Sequence, residues 1–222
     1  MVSIVYSLSA AALAAVISII CVRFVQKSKN KLNKLFEYGA LIPWLLPSTL
    51  IALGLTMAYG DRNPLIFNKV LVGTTVILLI GYVVIKLPFS YRMIRSAFFS
   101  VDEDLEDAAK CMGASTFYTM WKVIIPVILP AVLSVMILNF NGLLADYDLT
   151  AFLYHPLLQP LGIVVKAASD ENASIDAKCM SFVYTVVLMI LSSIALYFGQ
   201  GNGMQAIRRW KQKRIEKKVY SK

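Results

Sequence analysis

Charge is scarce in this sequence. Only 16% of its 222 residues are Asp, Glu, Lys or Arg, against about 25% in an ordinary soluble domain. Acids are the scarcer sign, 13 against 22 basic residues. Histidine occurs once, at His155, and cysteine three times, at Cys21, Cys111 and Cys179. An odd, scattered set without Cys-x-x-Cys gives neither a disulfide framework nor a metal site. Each cysteine instead reads as a small buried hydrophobe. No Gly-x-x-x-x-Gly-Lys-Ser/Thr, Gly-x-Ser-x-Gly or His-Glu-x-x-His pattern occurs, so the chain has no signature of an ATPase, a serine hydrolase or a zinc protease. No catalytic residue is expected, and no metal or cofactor of its own.

What is present is apolar. Hydrophobic residues make up 58% of the chain and the mean hydropathy is +0.67. A core this small cannot hide that much apolar surface, so the expected class is an all-α integral membrane protein. Five runs lack charge over a length comparable to a span: 3–22, 39–60, 70–85, 123–145 and 179–198. A helix needs roughly 20 apolar residues to cross a bilayer core. The run at 70–85 is short, and Lys69 and Lys86 at its ends are expected to snorkel to the two interfaces.

The net charge of +9 becomes a sidedness signal. Nothing basic precedes the first run, so it is no signal peptide. Arg23, Lys27, Lys29, Lys31 and Lys34 follow it. The 86–122 loop carries Lys86, Arg92, Arg95, Lys110 and Lys122, and the tail carries eight more cations. Eighteen of the 22 basic residues thus fall on one face, as the positive-inside rule requires of an N-out, C-in protein with five spans. Gly199, Gly201 and Gly203 suit the end of the fifth helix. The basic tail at 203–222 mixes Met204, Ile207, Trp210, Ile215 and Val219 with cations, and suits the surface of anionic lipid better than a nucleic acid.

Polar residues inside the spans are few. Pro43 and Pro47 are expected to kink the second span, either for packing or to shape a pathway. Asn139 and Asn141 cannot face lipid, so they face other helices or a water-filled route. Asp146 and Asp148 open an outer loop at 146–178. They suit a cation or a basic partner surface, or are plain solvated acids. His155 lies in that loop and reads as a loop residue.

The 86–122 loop is the most informative segment. Ser100 can cap a helix, and Asp102, Glu103 and Asp104 complement the positive end of its dipole. Leu105, Ala108, Ala109 and Met112 recur at helical spacing, and Gly113 ends the pattern. A compact helix over about 101–113 follows, fitted to a groove on a soluble partner.

These residues resemble the signature loop of ABC-importer permeases: Glu-Ala-Ala, three residues, Gly, nine residues, then Ile-x-Leu-Pro. Here Asp107-Ala108-Ala109 is followed after three residues by Gly113, and nine further residues lead to Val123-Ile124-Ile125-Pro126. Glu106 beside Asp107 leaves open which acid takes the family's role. Ser7-Leu8-Ser9-Ala10 and the stretch Ile42 to Gly54 are similar to the start and second helix of the family's core. The resemblance implies that Glu106, Asp107, Ala108, Ala109, Gly113 and Pro126 couple to a separate ATPase, present in two copies and using ATP and Mg. It implies a second permease domain, a solute-binding protein outside, and a bacterial inner membrane. The chain starts almost inside the core, which suggests half of a split permease or a truncated one. The overall run looks most like ferric-iron permeases, with thiamine, polyamine and phosphonate importers close by. A secondary transporter or channel is the alternative from another class, though such proteins place charges within spans and these five runs hold none.

Overall fold

The computed structural model describes residues 2–27, 31–61, 70–170 and 172–199. Their regular elements are all helices, with no strand among the described residues. The long helices are α1 (Val2–Lys27), α4 (Thr75–Phe99), α7 (Ile125–Leu144) and α10 (Ile175–Gly199). Between them lie α2 (Lys31–Leu41), α3 (Ser48–Tyr59), α5 (Glu103–Cys111), α6 (Thr116–Thr119), α8 (Thr150–Leu153) and α9 (Leu161–Ala168). Among the described residues, four helices are long and apolar enough to cross a membrane, with a fifth span if a bent pair counts as one.

Helix α1 forms the centre because one side of it is small. Ser7, Ala10, Ala11, Ala14, Ala15 and Ser18 are all buried, and their size lets neighbouring backbones approach closely. Helices α4 and α7 pack there and against each other. Two clusters fill the seams. One joins Ala15, Val22, Tyr91, Ile94 and Ile128, and the other joins Ala10, Ala52, Leu78, Leu143 and Leu149. The opposite side of α1 leaves Val5, Leu8, Val16, Ile20 and Phe24 exposed. Helix α10 is peripheral, and its long apolar residues Phe182, Met189 and Ile190 are exposed.

Three boundaries differ from those read in the sequence. The second run, 39–60, is not one straight helix. It breaks at Leu46 and Pro47, where the two halves, Glu37–Leu45 and Ser48–Tyr59, meet at 110°. Pro43 tightens the first half into a 3₁₀ turn over Ile42–Leu45, and Pro47 sits at the extended corner before α3. Helix α4 holds the first half in place: Arg95 pairs with Glu37, and the Arg92 guanidinium lies 4.9 Å from the Trp44 ring centroid.

The third run, 70–85, does not end at Lys86. Helix α4 begins only at Thr75 and continues through Lys86 and Pro88 to Phe99. Lys86 therefore lies about 17 Å into a helix about 37 Å long, at 1.5 Å per residue. It is not at the end of its helix, and the 86–122 loop shrinks to the segment after Phe99. A candidate span does contain a charge.

The 123–145 run is the far part of a longer helical stretch, Thr116–Leu144. Met120–Ile124 forms a wide turn in which the Ile125 amide donates to the Met120 carbonyl, five residues back. Pro126 accounts for it. Proline has no N–H, and its ring crowds the carbonyl four residues earlier, so the preceding turn opens. Half of the described residues of the 146–178 loop are helical, in α8, α9 and the first residues of α10. In it the His155 Nδ1 accepts the Leu157 amide at 3.1 Å, the part of a turn residue. Two cysteines correct the expectation of burial, since Cys111 and Cys179 are exposed while Cys21 is half-buried. The basic tail at 203–222 lies outside the described residues.

Candidate functional site

Helix α5 is built by local signals. The Asp102 carboxylate caps it, accepting the Asp104 amide at 3.1 Å. Gly113 closes it with a φ of +80°, a left-handed conformation that glycine takes without steric cost. The Gly113 amide donates to the Lys110 carbonyl at 2.9 Å and the Ala114 amide to the Ala109 carbonyl at 3.0 Å. That pair of bonds satisfies the last turn's free carbonyls. The expected helix at 101–113 is thus Glu103–Cys111 with its two caps.

The expected apolar face of α5 is divided by the structure. Ala109 is buried against the bundle, beside half-buried Glu106. The Arg23 guanidinium donates to both Glu106 oxygens, at 3.2 Å and 2.8 Å, and Lys110 stands 3.5 Å from one of them. The Arg23 bonds, chiefly, hold the Glu106 carboxyl below the usual carboxylate range; partial burial opposes them and the Arg23 and Lys110 charges reinforce them. Leu105, Asp107, Ala108 and Met112 point away from the bundle and are exposed. Of the two adjacent acids, Glu106 is engaged within the chain and Asp107 is the outward one. Among the described residues, Asp107 keeps only an exposed contact with Lys110 at 3.1 Å.

The apolar surface continues past Gly113. Ser115 caps α6 by accepting the Tyr118 amide at 3.3 Å. Phe117, Tyr118 and Trp121 are more than half exposed. With Met112, which is 81% exposed, they make a protruding apolar surface beside Asp107 and Ala108. Pro126 is exposed one turn further on. Sequence reasoning missed this aromatic extension. Its signal was present in the run Phe117-Tyr118-Thr119-Met120-Trp121, which a soluble face rarely carries without a partner.

The second group of expected residues lies at the other part of α7, and the structure separates its members. Asn139 is buried and donates to the Ser90 hydroxyl at 2.6 Å, tying α7 to α4. Asn141 donates to the Ser192 carbonyl of α10 at 3.4 Å, and its Oδ1 has no partner among the described residues. Both asparagines face helices, not lipid. Asp148 is exposed. Asp146 turns inward, where one carboxylate oxygen accepts the Thr150 amide at 3.2 Å and the Thr150 hydroxyl at 2.9 Å. The Tyr82 and Thr150 hydroxyls are 2.6 Å apart. Since the Thr150 proton is given to Asp146, Tyr82 is the donor. Asp146 thus starts α8 and anchors it to α4, and is not a plain solvated acid.

Lys86 joins this region and was missed as a site residue. A side chain at Gly142 would begin only 2.8 Å from the Lys86 ammonium, so that ammonium occupies the space a residue at 142 would need. Gly142 itself is exposed. Outside this group, Tyr147, Lys166 and Asp170 help line a cavity of about 550 Å³ next to α9.

Comparisons with known proteins bear on the family and the fold. The family described as "Binding-protein-dependent transport system inner membrane component" matches residues 14–202. Among curated relatives, a probable ABC transporter permease protein, y4fN, of Sinorhizobium fredii is 36% identical over 86% of this chain and 33% of its own length. A probable sulfate transport system permease protein, cysT, of Marchantia polymorpha is 26% identical over 81% and 62%. A putative 2-aminoethylphosphonate transport system permease protein, PhnV, of Salmonella choleraesuis is 24% identical over 77% and 64%. The chain spans between one third and just under two thirds of these relatives. Two solved structures share its fold. They are the MetNI methionine ABC transporter in an inward-facing form (TM-score 0.67, 16% identity, 94% of this chain and 92% of that one) and a bacterial ABC transporter that imports alginate (0.72, 13%, 90% and 78%). With a helical bundle, a capped outward helix between α4 and α7, and a family match over most of its length, the chain belongs to the binding-protein-dependent transport system inner membrane components, the multi-pass membrane permeases of ABC transporters.

Proposed function

We propose that this chain is the membrane-spanning subunit of an ABC importer and couples to a separate ATPase through residues 101–126. The observation that carries the reading is α5. It is a short helix capped at both ends, tied to α1 by Arg23–Glu106, with Asp107, Ala108 and an apolar aromatic surface turned outward. Such a helix suits a groove on a soluble partner. The ATPase, in two copies, hydrolyses ATP with Mg, and this chain performs no catalysis. A second permease domain completes the pathway, and a solute-binding protein delivers cargo at the opposite side. The charge asymmetry of the sequence favours five spans, N-out and C-in, with α5 on the cytoplasmic face of a bacterial inner membrane.

Ferric iron, the cargo the sequence suggests, finds no support in the relatives named above, two of which carry the names of sulfate and 2-aminoethylphosphonate systems. The test of the role is co-purification of a soluble ATPase with the membrane-extracted chain. Loss of ATP-driven transport on Asp107→Lys, with the ATPase site intact, is the expected result. Unimpaired uptake with no ATPase present would sink the reading. It would favour a gradient-driven carrier, which Lys86 within a span also suits.

A further inference from the structure

We propose that Lys86 is the cation that recognises cargo partway along the translocation route, and that the group it recognises is an anion. The inference rests on the permease reading above and adds the chemical class of the cargo. Four observations carry it.

Lys86 lies about 17 Å into α4, near the middle of a helix long enough to span the bilayer. A cation at that depth is costly against lipid, so its side must line protein or water. The side it lines is open in this chain, since Gly142 is exposed beneath the ammonium and Lys86 is itself only half-buried. Second, the Lys86 carbonyl accepts the Ser90 hydroxyl, but its ammonium makes no hydrogen bond or ion pair among the described residues.

Third, the nearest acid does not satisfy it. Asp146 is close enough to act on Lys86 electrostatically, yet its carboxylate is turned to Thr150, with Tyr82 behind. Both of its hydrogen bonds come from Thr150, at the start of α8, and neither comes from Lys86. Fourth, position 142 has no side chain to compete for the space before the ammonium. An ammonium has three donors and no acceptor. Unspent, over a glycine and beside an open surface, those donors suit a sulfate-, phosphate- or carboxylate-type group and repel a metal cation.

The test measures the charge preference of this surface directly, in membrane vesicles holding the full chain. Cys21, Cys111 and Cys179 are replaced by Ala, and exposed Ala145 by Cys. The probes are a sulfonate-bearing and a trimethylammonium-bearing methanethiosulfonate. The sulfonate reagent is expected to react about tenfold faster, from one cation acting across a site of low dielectric. Lys86→Gln should abolish the preference, and Lys86→Arg should keep it, which separates charge from folding. Asp146→Asn should widen it. A preference for the cationic reagent, a preference that Lys86→Gln leaves unchanged, or no reaction with either reagent overturns the proposal. So would ATP-driven uptake of ferric iron, thiamine or spermidine by the assembled complex. Failure of an ATPase to co-purify would instead remove the permease reading, and the reagent assay stands apart from that result.

Discussion

Replacing Arg23 by Gln should loosen α5 without unfolding the bundle, and its size follows from the geometry. The guanidinium makes two hydrogen bonds to Glu106, at 3.2 Å and 2.8 Å, and the two side chains are 19% and 24% exposed. An exposed pair contributes about 0–1 kcal/mol, and removing one partner of a fully buried pair costs about 3–5 kcal/mol. A forked, three-quarters-buried pair falls between, at about 1.5 kcal/mol. That is a factor of about ten in the equilibrium between docked and released α5. Amide hydrogen exchange over 105–112, in the full chain in lipid nanodiscs, reads it directly: exchange should quicken about tenfold, while amides of α1 and α4 stay protected. Glu106→Gln should behave alike, and Arg23→Glu with Glu106→Arg should recover most of the protection. The effect depends on pH in a definite direction. The folded Glu106 value lies below its ordinary 4.5, so the stabilisation is complete above about pH 4.5 and is lost as pH falls through the folded value. Parent and Glu106→Gln should therefore converge in acid. Unchanged exchange in Arg23→Gln, or a charge swap no better than either single change, would refute the reasoning.

Asp102→Ala removes the α5 cap and should cost about 1 kcal/mol, read as faster exchange of the Asp104 and Leu105 amides with Arg23–Glu106 still formed. Gly113→Val forces a branched residue into a left-handed conformation and should cost about 1–2 kcal/mol, seen as a lowered Tm, with Gly113→Asn milder. Thr150→Val keeps the buried shape but strips Asp146 of a donor and Tyr82 of its acceptor, for about 2–3 kcal/mol. Tyr82→Phe, which leaves Thr150 on Asp146, should cost less. Equal losses in thermal unfolding would contradict the donor order Tyr82 to Thr150 to Asp146.

Much of α5 was legible because its causes are local. A cap, an acidic first turn and a terminating glycine all lie within a dozen residues. The division of its acids was not legible, because Arg23 lies 83 positions from Glu106 and only folding joins them. The prolines marked a kink in the second run, but whether the chain bends slightly or by 110° depends on what α4 offers Glu37 and Trp44. Lys86 misled for a physical reason. A charge ends a hydropathy run, yet a helix ends only where its hydrogen bonds do, and a lysine beside a glycine on a neighbouring helix need not interrupt it. Asp146 misled similarly, since its partner Thr150 comes from a short helix that no periodicity reveals.

The wide turn at Met120–Ile124 acts as slack in chain length. One residue deleted there, together with Pro126→Ala to remove the cause of the opening, leaves an ordinary helical turn with α6 and α7 still in phase. The same deletion a few residues later would rotate everything beyond it by about 100°, swinging Asn139 away from Ser90. Length variation between α6 and the far end of α7 is thus absorbed at one place, and the two parts of the bundle can change independently of each other.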